Sequence, residues 1–182
     1  MRHAMLGAIA LLVSASSALA CGTERWPVKT GADGDAARVA NFPKPATIAQ
    51  LRSIAAPAHP ERRLAARFAP TELTTFQVMG VLTVIEREAD DDYQMVIADP
   101  ADPRVTMIVE APDPSCAPGS LFLDSIVSVR RALDQRFGQI RRIETNLPVT
   151  VTGVAFFDAL HGQEGVAPNG IELHPVLMIT FQ

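Results

Sequence analysis

Ser120-Leu-Phe-Leu-Asp-Ser-Ile-Val-Ser-Val-Arg-Arg-Ala-Leu-Asp-Gln-Arg-Phe-Gly138 reads as one helix set among strands. Phe122, Ile126, Val129, Leu133 and Phe137 follow one another at helical spacing, forming a single apolar stripe over Leu121–Phe137. Ser120 stands where an N-cap belongs, and Asp124 lies in the first turn, where the helix dipole favours a carboxylate. Arg130, Arg131 and Arg136 lie toward the other end, and Gly138 is placed to stop the helix. One stripe calls for one sheet to cover it.

Strands flank this helix on both sides. Thr74–Glu86 carries Phe76, Val78, Leu82 and Val84 on one parity, with Gly80 in the middle as a point of bending or bulging. Asp90-Asp91-Asp92 makes a polar turn into Tyr93–Ala98, and a further turn at Asp99 to Pro103 leads to Val105–Glu110. The Asp triplet lacks the spacing of a calcium loop. Beyond the helix, Val149–Asp158 and Gly170–Phe181 complete the pattern. Three strands, one helix and two strands predict a mainly β domain with a minor helical part. The layout is that of an OB-fold-like five-stranded barrel with the helix between strands 3 and 4. An α+β sandwich is the competing architecture.

The N-terminal part reads differently. Residues 1–20 have a basic start at Arg2 and His3, an apolar run from Leu6 to Val13, and Ala18-Leu19-Ala20 as a cleavage pattern, which together predict an export signal peptide. Residues 21–70 are an irregular Pro- and Ala-rich extension, broken by a short helix from Ile48 to Ile54 that Thr47 caps. Residues 71–182 are the barrel domain. Cys21 and Cys116 are the two cysteines, and an oxidising compartment favours a bridge between them. Lipid anchoring at Cys21 is the alternative, and the two exclude each other. A formal charge of −4 with no dense Lys/Arg run disfavours nucleic acid. No stretch has the roughly 20 apolar residues of a membrane span.

Four segments resemble a family of uncharacterised exported bacterial proteins. These are Cys21-Gly-Thr-Glu-Arg-Trp-Pro-Val-Lys-Thr30, then Asp91-Asp-Tyr93 leading to Met107-Ile-Val-Glu110, then Val151-Thr-Gly-Val-Ala-Phe-Phe-Asp158, and the closing Asn169-Gly-Ile-Glu-Leu-His-Pro-Val176. The resemblance covers nearly all of the chain beyond residue 20. It implies the OB-like fold and supports the Cys21–Cys116 bridge, and it implies no activity. Such proteins often carry histidine where this chain has Gln94.

Candidate site residues follow from the fold. OB-folds bind ligands around strands 2 and 3, between the loops joining strands 1–2 and 4–5. Those loops are here Glu86 to Asp92 and Asp158 to Asn169. Tyr93, His161, Asn169, Glu172 and His174 are therefore the candidate ligand-binding set. Glu172 and His174 share one face of the last strand, as a binding feature or as a wetted outer wall. Asp158, His161, Glu172 and His174 are chemically able to hold a divalent metal, though their spacing matches no metal signature, and no other cofactor is indicated. No G-x-S-x-G elbow or phosphate-cradling glycine loop is present. Trp26 reads as an anchor pinning the extension to the barrel, and Arg25 and Lys29 as contacts either for an anion or for the acidic barrel loops. The expected function is an exported, non-catalytic binding module for an envelope or extracellular ligand, a glycan or a protein. The alternative is a metal-assisted, phosphodiesterase-like hydrolase using Glu172 and His174.

Overall fold

Strand β2, Thr75–Arg87, is a long link in the sheet, because several neighbours share it. Its first half receives the short parallel strand β1, Lys44–Ala46, and its second half pairs with β3, Tyr93–Ala98. The computed structural model describes residues 21, 22 and 24–182; the export-signal reading of residues 1–20 falls outside them. Strand β3 pairs antiparallel with β4, Thr106–Ala111, and β4 pairs parallel with β6, Ile171–Phe181. Strand β5, Arg142–Phe157, then lies antiparallel to both β6 and β2, so the pairings return to their starting strand. The result is a mainly β chain with one six-stranded sheet and three α-helices among the described residues.

Alternation explains the interior. Tyr93, Met95 and Ile97 point inward from β3, Met107, Val109 and Ala111 from β4, Ala155 and Phe157 from β5, and Ile171 and Leu173 from β6. Helix α3, Leu123–Phe137, closes this core with buried Ile126, Val129 and Leu133, while Phe137 meets Phe181 edge-on at 5.8 Å. The sequence places the N-cap at Ser120, whereas the structure puts it at Phe122 with no side-chain cap. Ser120 Oγ instead accepts from Phe122 N and donates to Thr30 O, so its hydroxyl joins the helix start to the N-terminal segment.

Gly80 has little room for a side chain, since a Cβ there would lie 3.2 Å from Ala98 O and 3.3 Å from Ile97 Cβ. The break in register falls a little later, between Leu82 and Val84. Strand β5 begins at Arg142, seven residues before the expected Val149.

The N-terminal extension wraps the sheet. Cys21 and Cys116 are bonded, with Cα atoms 5.5 Å apart, which excludes a lipid on the Cys21 thiol in this form. Helix α1, Trp26–Thr30, follows at once, and Trp26 Nε1 donates to Cys116 O at 2.7 Å, the anchoring role expected of it. Arg25 donates to both oxygens of Glu72 at 2.7 Å, and Glu72 also accepts from the backbone N–H groups of Phe68 and Phe157. Arg67 holds Asp33 in a second buried pair, at 2.6 Å. Helix α2, Ile48–Arg52, begins at Thr47 in a full capping box with Gln50. No helix among the described residues is long and apolar enough to cross a membrane.

Candidate functional site

The outward parity of three neighbouring strands carries the charge. Gln94 on β3 lies opposite Glu110 on β4, and Glu172 and His174 follow on β6, the strand beside β4. An outward face would normally meet water. Here it is covered: Glu172 is 1% exposed and His174 0%, so the wetted-wall reading of these two residues is corrected. The cover is α1 with the residues before it. Arg25 and Lys29 lie over the Phe156 ring at 4.6 and 5.4 Å, and the same ring meets the His174 imidazole at 5.7 Å.

Beneath this cover the groups are tightly placed. Lys29 Nζ donates to Asp158 Oδ2 at 3.0 Å. Burial disfavours the ammonium, yet the Glu110, Asp158 and Glu172 carboxylates outweigh it and hold Lys29 above the ordinary lysine range. His174 lies between two carboxylates: Nδ1 is 2.9 Å from Glu110 Oε2, and Nε2 is 3.5 Å from Asp92 Oδ2. Neither approach has the alignment of a hydrogen bond. Burial would make the imidazole less basic, but Glu110 and Asp92 raise it to about 9. Burial raises the Glu172 carboxyl well above its usual range, helped by Glu110 and Asp158, and neither of its oxygens has a hydrogen-bond partner. Burial likewise raises Asp92. Glu110 goes the other way: burial opposes its charge, but His174 and Lys29 lower its carboxyl overall.

Above these groups a cleft of about 260 Å³ opens to solvent. Glu88, Ala89 and Asp90 come from the loop after β2, and Asp158, His161 and Gln163 from the loop after β5. Glu24 and Lys29 enter from the N-terminal segment, while Gln94 and Glu110 reach in from β3 and β4. Five carboxylates thus face one lysine and one histidine. Burial and the carboxylates of Glu86, Glu110, Asp90 and Asp92 raise the Glu88 carboxyl, a sign of negative charge left unbalanced. Gly170, at φ 69°, closes the second loop so tightly against Asp158 O that a Cβ would overlap it.

The candidate residues divide. His161 stands at the mouth with Nε2 3.3 Å from Glu24 Oε2, and Glu24, Asp158 and His161 each bring one ligand-type atom within 4.8 Å of the others. Asp92, Glu110 and His174 form a second such group, wholly buried. Asp158, His161, Glu172 and His174 therefore do not gather as one set of four. Tyr93 points into the core, where its hydroxyl donates to Asp134 Oδ1 at 2.8 Å beneath Arg130. Asn169 clamps α2, its amide donating to Leu51 O and Ile54 O, so its nitrogen is already engaged.

Glu24 and Glu110 are site residues that the sequence reading did not single out, whereas Glu88 and Asp92 fall in the rim loop it named and Lys29 makes the contact with an acidic loop that was one of its two expected partners. Outward parity marks Glu110, because a charge on that side of an otherwise apolar strand needs a partner. Nothing local marks Glu24, whose place depends on a segment distant in sequence. Comparison with models of protein families and with curated proteins finds no match to this chain.

Proposed function

We propose that this protein is an exported, OB-like binding module whose ligand site is the acidic cleft between the loops after β2 and β5. The strand circuit supports the fold reading: β2, β3, β4, β6 and β5 pair in that order and return to β2, with α3 between the third and fourth members in sequence. The patterning of residues 1–20 and the Cys21–Cys116 bridge support export. The observation that carries the site is the gathering of Glu24, Glu88, Asp90, Glu110 and Asp158 around one cleft.

Such a lining selects a ligand bearing positive charge, either an amino sugar in a glycan or a Lys/Arg group of an envelope protein. A second cleft, about 360 Å³ between Pro45, Gln77, Met79 and Pro100, offers a single carboxylate, Asp99, and has no comparable selectivity. The hydrolase alternative requires a substrate to reach Glu172 and His174. Both lie under Arg25 and Lys29, so the geometry favours binding over catalysis.

An affinity screen of the oxidised protein against glycans and envelope extracts tests the reading. Saturable binding that weakens with salt and falls at least about tenfold in the Glu88→Gln/Asp90→Asn variant supports it. The absence of any saturable binder, or phosphodiester cleavage lost in Glu172→Ala and His174→Ala, removes it.

A further inference from the structure

We infer that Asp92, Glu110 and His174, with Glu172 beside them, form a buried site for one divalent transition-metal ion that ties the turn before β3 to strands β4 and β6. The inference stands apart from the ligand reading of the cleft, because it concerns the groups beneath the cleft floor.

Three observations carry it. The donor atoms of Asp92, Glu110 and His174 lie within 4.8 Å of one another, a span that a single ion can bridge. Asp92 Oδ2, both nitrogens of His174 and both oxygens of Glu172 are buried without a hydrogen-bond partner. Buried polar atoms are nearly always paired, so unpaired ones gathered around one imidazole suit an occupant, a single ion binding through one of the two His174 nitrogens. The positions are also rigid: Asp92 Oδ1 is fixed by Asp113 N at 2.9 Å, and Glu110, Glu172 and His174 sit on paired strands. Rigid elements hold a coordination geometry better than loops do.

Chemistry narrows the ion. One imidazole with two or three carboxylates suits a borderline divalent ion such as Zn²⁺ or Mn²⁺ better than Ca²⁺, which takes six to eight oxygens. All four side chains are buried, so the site is closed, which is the character of a structural site rather than a catalytic one. Glu110 lines both the cleft and the cluster, making the cleft the path of entry. The Glu24, Asp158 and His161 group at the mouth is the competitor. Its Asp158 is already paired with Lys29, and its His161 and Glu24 side chains are half exposed.

The test uses the oxidised protein after chelator treatment, titrated with Zn²⁺ by calorimetry and with Co²⁺ by absorption and NMR. The account predicts binding of one equivalent, Co²⁺ ligand-field bands, and paramagnetic broadening centred on His174 and Glu110. Saturating Zn²⁺ should raise Tm by roughly 5 °C or more. Glu172→Gln and His174→Gln should weaken affinity about 10- to 100-fold, while Glu24→Gln leaves it unchanged. No stoichiometric binding by the folded wild-type protein would overturn the inference. So would broadening centred on His161 with affinity lost in Glu24→Gln. Both of these outcomes are read on folded protein, even where His174→Gln fails to fold.

Discussion

Arg25 and Glu72 form the most completely satisfied buried ion pair in the described chain. The guanidinium donates to both carboxylate oxygens and to the carbonyls of Arg63, Ala66 and Phe157, while the carboxylate also accepts two backbone N–H groups. Removing one partner leaves the other charged and unpaired. Glu72→Ala is predicted to cost about 3–5 kcal/mol, measured by denaturant unfolding, and a loss below about 1 kcal/mol would contradict this account of the pair. His174 makes a prediction in pH. The folded state binds its proton more tightly than the unfolded chain does. The resulting stability is complete below the ordinary value of 6.5 and is lost as pH rises through about 9. The raised Glu172 carboxyl acts in the same direction above its ordinary 4.5. Chelator-treated protein should therefore lose stability steadily from pH 6.5 to 9, and His174→Gln should flatten that slope. A wild-type profile already flat over this interval would contradict it.

At the scale of elements, helix α3 and strands β2, β3, β4 and β6 were legible because their apolar residues recur at helical or strand spacing. Less legible were elements whose reason lies elsewhere in the molecule. The start of β5, Arg142 to Pro148, alternates exposed with half-buried side chains and contains Asn146 and Pro148, which locally resemble a turn. Pairing of Glu144 with Val84 and of Leu147 with Leu82 draws this segment into the sheet. Strand β1 is three residues long and contains Pro45, so only its place beside β2 makes it a strand. Leu133 is fully buried between α3 and the sheet, and Leu133→Ala should cost roughly 2–5 kcal/mol in thermal or denaturant unfolding. The disulfide closes a sequence separation of 95 residues, and its removal in Cys21→Ser/Cys116→Ser should cost about 2–5 kcal/mol. An unchanged unfolding midpoint in either variant would show that the element does not bear on the core as described.

For the whole molecule, the loops that rim the candidate cleft were readable, and the burial of Glu172 and His174 was not. The two rim loops follow from strand order, and Asp158 and His161 do line the cleft. That Glu172 and His174 lie beneath a cover that includes Arg25 and Lys29 depends on a contact more than a hundred residues away in sequence, which alternation along β6 does not report. The same distant contact brings one carboxylate and one ammonium to the cleft, Glu24 and Lys29. The most direct measurement is NMR mapping of the oxidised protein titrated with a fully deacetylated chitosan oligosaccharide and with a Lys/Arg-rich peptide. The account predicts saturable, salt-sensitive shifts confined to residues 86–94, 110 and 158–164 with at least one of these probes, weakened in Glu88→Gln/Asp90→Asn. Shifts confined instead to the face around Pro45, Gln77 and Met79, or none at all with either probe, would contradict it.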